Sequence, residues 1–370
     1  MKVMTVLGTR PEIIRLSRII PLLDKLSNHI VVHTGQNYEP SLTDVFFSEL
    51  GLRPPDYALN CRSESTMGQI GRILTECERV MLKEKPDRLL VLGDTNSALS
   101  TMVAKRLGIM VFHMEAGNRC YDDRMPEEIN RRVADHCSDI LMPYTERSRA
   151  SLLREGIPGH RIYVTGNPIK EVLDYYASRI ETSQALKTFE LKAGEYFLVT
   201  LHRTENVDNR TRLANFIEAF HRLAAAYQMP VLCSLHPRTR SQLHRFGKTL
   251  AGAGVRTTEP LGLFDFVKLE KNALCVLTDS GTVQEECCIF NVPNVTLRDV
   301  TERPETLEAG SNLITGSEPQ AVLDAVSAVL TEPAGWRPPP EYLSANVSST
   351  AVRIILSNWN RQCQSRDEML

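Results

Sequence analysis

The sequence contains no CxxC pair, no GxGxxG string, no GxxxxGK[ST] loop and no apolar run of membrane-spanning length, and each absence removes a class of function. Nine cysteines, an odd number without CxxC spacing, predict neither a zinc site nor a disulfide framework but reduced thiols in a reducing compartment. Gly247-Lys248-Thr249 lacks the glycine five positions earlier that an ATP-cradling loop needs, so no dinucleotide or ATP fingerprint remains. Charge of one sign is lacking too: 43 Lys and Arg against 45 Asp and Glu leave a net charge of −2. That balance provides no basic field for nucleic acid or an anionic membrane, so any anionic ligand must be held locally. The segment MKVMTVLGTRP has only a short apolar run before Gly8, without the apolar region and cleavage site of a signal peptide, and a soluble cytoplasmic protein is expected.

What is present is a long alternation of strand and helix. With 370 residues, the chain exceeds one ordinary core and fits two domains. Short apolar runs recur at Val3–Leu7, Ile30–His33, Leu89–Leu92, Met110–Met114, Phe197–Leu201, Val231–Leu235 and Leu274–Leu277. Near-continuous hydrophobic strands belong to parallel sheets covered on both faces, which predicts doubly wound α/β layers. The small-residue break at Thr165–Lys170 divides the chain into 1–168 and 169–347, with a polar helix over Glu171–Glu190, a loop at Gly335–Pro340, and a final helix within 348–361 that returns to the first domain.

Ligands in open α/β sheets lie beyond the carboxyl ends of the strands, so the residues just after each apolar run carry the functional signal. In the first half these are Gly8-Thr9-Arg10-Pro11-Glu12, Gly93-Asp94-Thr95 and Glu115-Ala116-Gly117-Asn118-Arg119. In the second they are His202-Arg203, His236-Pro237-Arg238 and Asp279-Ser280-Gly281-Thr282. The last opens a helix, whose free N–H groups and dipole suit a diphosphate; Ser280 and Thr282 can add hydroxyls, and Glu286 lies about a turn on. An ordinary helix cap is the competing reading. Arg10, at the start of a helix, suits a bidentate clamp on phosphate rather than a solvated surface role. His202 can donate to a leaving oxygen, and His236 shares its placement. Asp94, Glu115 and Glu127 supply three acids for proton work, and Glu127, Asn130 and Arg131 fall on one helix face; dipole compensation is the alternative for Glu127 and Glu128, a solvated face for Arg131 and Arg132.

The strings GTRPE (Gly8–Glu12), TGQN (Thr34–Asn37), GDT (Gly93–Thr95), EAGNR (Glu115–Arg119), PEEINRR (Pro126–Arg132), TGNP (Thr165–Pro168), HRTEN (His202–Asn206), DSGTVQEE (Asp279–Glu286) and TERPE (Thr301–Glu305) resemble, in order, the non-hydrolysing UDP-N-acetylglucosamine 2-epimerases. The resemblance implies two Rossmann-like domains with a cleft between them, as in many glycosyltransferases, the second domain binding UDP. It further implies a homodimer, no cofactor or metal, and a UDP-activated N-acetylhexosamine that loses UDP to give a 2-acetamidoglucal and regains it, in surface polysaccharide biosynthesis. Carried onto this chain, it makes Asp94, Glu115 and Glu127 the acid/base candidates, with His202 and Arg131 beside the reaction. Arg10, Arg203, His236, Phe266, Ser280, Gly281, Thr282 and Glu286 become the UDP contacts, although Phe266 also suits a core position. TGQN in place of TGQH, Arg15 in place of Lys, Ser280-Gly281-Thr282 in place of SGG and a short loop before Pro126 are departures. They bear on sugar choice and put a regulatory second UDP-sugar site in doubt, while TGQNY (Thr34–Tyr38), HMEAGNR (His113–Arg119), SLHPR (Ser234–Arg238) and DSGT (Asp279–Thr282) resemble the branch that forms UDP-N-acetyl-L-fucosamine from its talosamine epimer.

Overall fold

The computed structural model describes residues 1–36, 46–331 and 335–359. Asn37, the end of the TGQN string, and Asn360, within the expected final helix, lie outside them. Among the described residues, twelve strands form two six-stranded sheets in which every strand pairing is parallel. The first sheet contains β1 (Lys2–Leu7), β2 (Asn28–His33), β3 (Tyr57–Ala58), β4 (Arg88–Leu92), β5 (Met110–Met114) and β6 (Ile140–Met142). The second contains β7 (Phe197–Leu201), β8 (Val231–Leu235), β9 (Val255–Thr258), β10 (Cys275–Thr278), β11 (Asn294–Thr296) and β12 (Asn312–Ile314). All five residues of β4 and all four of β10 are buried, as strands with a helix layer on each face must be.

All seven apolar runs read from the sequence are strands. The five strands not anticipated, β3, β6, β9, β11 and β12, have two to four residues each, too few to show a period. The single polar helix expected over Glu171–Glu190 is instead three short ones, Ile169–Tyr175, Ala177–Glu181 and Ala185–Thr188. The break has a local cause: the Thr182 hydroxyl donates back to the Ser178 and Arg179 carbonyls, and the Ser183 hydroxyl accepts the Ala185 N–H.

The chain divides into two units, Met1–Val172 with the segment from Glu341 onward, and Leu173–Pro340. In the first, Met4, Val6, Leu89, Val91 and Val111 of the sheet pack against Ile73, Cys77 and Val80 of the Thr66–Glu84 helix. The returning segment is stitched in by hydrogen bonds from Asn167 N to the Glu341 carbonyl (2.9 Å), Ser348 N to Glu171 (2.8 Å) and Arg88 Nη2 to the Ser357 carbonyl (2.7 Å). Its Val347–Leu356 helix packs on Ile19–Leu26. In the second unit, Phe197, Val199, Val231 and Leu277 meet Phe216, Phe220 and Leu223 of the Arg210–Tyr227 helix.

Strand order is β3-β2-β1-β4-β5-β6 in one sheet and β12-β11-β10-β7-β8-β9 in the other. Counted from its own first strand, each is wound 3-2-1-4-5-6, with its reversal between first and fourth strands, where a doubly wound sheet opens a crevice. The polar strings after β1 and β4, and after β7 and β10, stand at those two reversals.

Candidate active site

In the first unit, Thr9 precedes the Arg10–Leu16 helix and Pro11 occupies its first turn, a position that has no use for an N–H. Glu12 reaches back: its Oε2 accepts from Gly8 N (3.0 Å), Thr9 N (2.7 Å) and Thr9 Oγ1 (2.7 Å), and its Oε1 from Thr95 Oγ1 (3.1 Å). One carboxylate thereby ties the turn after β1 to the turn after β4 across the reversal. Burial pushes the Glu12 carboxyl up to about 7, against the pull of these four donors. The Arg10 guanidinium lies 4.5 Å above the Phe46 ring.

The acids gather one strand further along. Asp94 Oδ2 accepts from Nε (3.2 Å) and Nη2 of Arg131, whose Nη1 donates to Glu128 Oε2 (2.6 Å). Burial pushes the Asp94 carboxyl above its ordinary range; Arg131 pulls it down, and the negative charges of Glu115 and Glu127 push it up again. Glu115 is buried, pairs with the buried Arg15, and stands at φ 63°, a left-handed conformation that costs a side-chain-bearing residue about 1–3 kcal/mol. Asn130 Nδ2 donates to the Asp94 carbonyl (3.0 Å) and to Asn96 Oδ1 (3.1 Å). Glu127, Glu128, Asn130 and Arg131 all come from the Pro126–Cys137 helix. Arg131, for which a solvated face was the alternative, is 1% exposed, and Glu128 is wholly buried, accepting from the Cys120 and Tyr121 N–H groups.

In the second unit the centre is Asp279, fully buried after β10. It accepts from His202 N (2.9 Å), Arg203 N (2.8 Å) and Asn206 Nδ2 (3.1 Å), and His202 Nδ1 lies 3.0 Å from its Oδ1. Burial would raise this carboxyl, but the His202 imidazole and the N–H donors hold it well below the usual carboxylate range. The turn after β7 is therefore fastened to the turn after β10, as Glu12 fastens the first sheet. The ring of His236, which caps the Pro237–Arg245 helix by accepting the Arg238 N–H, lies 5.6 Å from that of His202.

The Gly281–Phe290 helix starts at Ser280, whose own side chain makes no capping bond, and a helix start of this kind suits an anion. Ser280 Oγ and Thr282 Oγ1 are 3.0 Å apart and bonded to each other, so the pair has one hydroxyl proton left to donate, not two. Gly281 is constrained by close approach: a Cβ there would stand 2.6 Å from Glu302 Oε1. Arg298 pairs with Glu302 (2.8 Å), Arg203 Nη2 lies 3.5 Å from it, and Arg303 pairs with Glu285. Glu286 is buried and hydrogen-bonded to Glu270, whose carboxyl is driven well above its usual range by burial and by the Glu286 charge. Phe266 is partly buried against Tyr196, Leu198 and Val276.

The structure thus brings Asp94, Glu115, Glu127 and Arg131 together in one unit, and His202, Arg203, His236, Ser280, Gly281 and Thr282 around the end of β10 in the other. Glu12, Arg15, Asp279 and Glu302 organise these groups and were given no role from sequence, although each lies within or beside a quoted string. Glu270 had no signal at all, since an acid inside a helix reads as a solvated face.

A family model described as UDP-N-acetylglucosamine 2-epimerase matches residues 23–356. UDP-N-acetylglucosamine 2-epimerase of Methanocaldococcus jannaschii is 44% identical over 347 residues, covering 92% of this chain and 95% of its own. UDP-2,3-diacetamido-2,3-dideoxy-D-glucuronate 2-epimerase of Pseudomonas aeruginosa is 37% identical over 89% of this chain and 92% of its own. The crystal structure of the M. jannaschii enzyme in complex with UDP-GlcNAc and UDP superimposes with a TM-score of 0.91 at 43% identity, over 96% of this chain and 99% of that one. With its twin parallel sheets and nine ordered strings, the chain belongs to the UDP-N-acetylglucosamine 2-epimerase family and is an isomerase.

Proposed function

We propose that the chain is a non-hydrolysing epimerase that interconverts UDP-N-acetylglucosamine and UDP-N-acetylmannosamine. The observation that carries this reading is the grouping of Asp94, Glu115 and Glu127 around Arg131 in a chain of this family. Carbon 2 of a pyranose has no neighbouring carbonyl, so its direct deprotonation would leave an unstabilised carbanion. Elimination avoids that: a carboxylate takes the carbon 2 proton, the C–H pair becomes the C1=C2 double bond of a 2-acetamidoglucal, and UDP departs with the C1–O pair. A proton delivered to the other face of carbon 2, with UDP oxygen rejoining carbon 1, gives the epimer. The raised Asp94 carboxyl holds a proton more readily than an ordinary aspartate, which suits a group that must both take and return one.

Arg131 and His202 steady the departing diphosphate, Arg10, Arg203 and His236 bind it, and Ser280, Gly281 and Thr282 seat it at the helix start. Glu286 takes the ribose hydroxyls and Phe266 flanks the base. The enzyme works as a homodimer in the cytoplasm, without metal or cofactor, supplying a sugar for surface polysaccharide.

Incubation with UDP-GlcNAc in deuterated water is expected to place deuterium at carbon 2 of both recovered UDP-sugars. Release of free N-acetylmannosamine would instead mark a hydrolysing enzyme, and turnover only with an added acceptor a glycosyltransferase. The strings TGQNY, HMEAGNR, SLHPR and DSGT are behind the UDP-N-acetyl-L-fucosamine reading, and a parallel incubation with UDP-2-acetamido-2,6-dideoxy-L-talose tests it; exchange on that sugar alone would displace the GlcNAc assignment.

A further inference from the structure

The unit that carries the acids also buries a charged cluster behind them. His113, on β5 two residues before Glu115, is wholly buried and bonded at both ring nitrogens: Nδ1 lies 2.8 Å from Asp135 Oδ1 and Nε2 lies 2.8 Å from the Gly93 carbonyl. A carbonyl and a carboxylate only accept, so both nitrogens carry protons and the ring is an imidazolium. Burial alone would lower the affinity of the ring for its proton, but Asp135, the Gly93 carbonyl and the nearby Glu115 outweigh it and hold it above the ordinary histidine range. Asp135 is wholly buried; its Oδ2 accepts from Gly117 N (3.1 Å) and from Arg119 Nη2 (2.7 Å), and Arg119 is held in turn by Glu155 through two bonds of 2.7 and 2.6 Å.

Each end of this cluster grips backbone beside a candidate acid. Gly93 immediately precedes Asp94, and Gly117 follows Glu115 by two residues. Asp135 also shares the Pro126–Cys137 helix with Glu127 and Arg131, at successive four-residue steps that keep the three on neighbouring turns of one face. Buried ions are a poor way to gain stability, since well-packed apolar groups of the same volume do as well or better. Their return here is a fixed distance between two turns and a helix.

We infer that His113 and Asp135 are positioning residues that hold Gly93-Asp94 and Glu115–Gly117 in register with the Glu127 helix, so that the three acids meet the substrate in one geometry. This rests on the proposed reaction, and nothing in the cluster itself touches substrate.

The test compares His113→Gln with His113→Asn. The glutamine nitrogen takes the place of Nε2 and can still donate to Gly93; the asparagine nitrogen takes the place of Nδ1 and serves Asp135 alone. Epimerisation kinetics with UDP-GlcNAc, UDP affinity by calorimetry and thermal unfolding are read for both, and for Asp135→Asn. Each variant keeps one of the two bonds and so breaks the tie between Gly93 and the Pro126–Cys137 helix; expected is a kcat loss of about 100-fold in both, the scale of an ångström-sized misplacement, with KM and UDP affinity unchanged. A kcat close to wild type in both variants would overturn the inference, and so would a loss that follows KM or the folded fraction instead of kcat. Failure of all three variants to fold would reduce the cluster to a structural role. An active wild type with indifferent variants defeats this inference alone, whereas a wild type that never epimerises defeats the proposed function and this inference with it.

Discussion

Among single residues, the acids and the anion contacts predict opposite signatures. Asp94→Asn and Glu115→Gln are expected to abolish deuterium exchange at carbon 2 while leaving UDP affinity largely intact, whereas Arg10→Ala weakens both; loss of UDP binding in the carboxylate variants would reassign them to structure. Glu115 makes a sharper case because it is doubly constrained, by its left-handed backbone and by the buried Arg15. Glycine there relieves the backbone but removes one partner of a buried ion pair, which costs about 3–5 kcal/mol. Arg15→Met combined with Glu115→Gly removes both liabilities, and urea unfolding should find the double variant at least as stable as wild type yet inert. Glu12 contributes a pH term. Its folded value of about 7 lies above the unfolded 4.5, so its contribution is complete below 4.5 and is lost as pH rises through 7, by about 3 kcal/mol. Glu12→Gln should flatten that slope in unfolding curves taken between pH 5 and 8, and parallel curves would sink the assignment. What sequence showed at this scale was where strand ends deliver acids. It could not show Glu12 reaching back to Gly8 and Thr95, or Glu270 beside Glu286, because those depend on burial and on partners distant along the chain.

At the level of the element, the start of the Gly281–Phe290 helix carries the argument. The Ser280 side chain makes no capping bond to it, and Gly281 is the residue that lets the helix approach Glu302. Gly281→Ala must push Glu302, already paired with Arg298, out of place, and is expected to weaken UDP binding roughly tenfold, a 1.4 kcal/mol effect, with little change in melting temperature. Calorimetric titration with UDP checks it; unchanged affinity would remove this helix start from the binding site. The longer strands were legible because runs of four or five mostly apolar residues recur between helical patterns, as the buried strands of an α/β chain do. The break at Thr182–Ser183 was not, since the hydroxyl bonds that end one helix and start the next leave the helical polarity pattern undisturbed.

For the whole molecule, the repeated strand–helix alternation foretold parallel sheets on two separate cores, and the motifs foretold the family. Substrate preference was not legible, because the 37%-identical P. aeruginosa relative named for a different UDP-sugar shares the same scaffold. A chain ended at residue 346 loses the helix that lies on Ile19–Leu26 and the Arg88–Ser357 bond. It should melt in two steps, with the acid-bearing unit first, and lose epimerisation while still binding UDP; a single wild-type transition in calorimetry would contradict this.

That stitching also sets an order of events on the ribosome. Domains ordinarily fold as they emerge, the earliest first. Here β1 to β6 are synthesised early, but the helix that closes their unit emerges from the ribosome only after Leu173–Pro340 has emerged. The Leu173–Pro340 unit can mature while the earlier unit waits with the Ile19–Leu26 helix lacking its Val347–Leu356 neighbour, so the nascent chain is most exposed to aggregation in its oldest part.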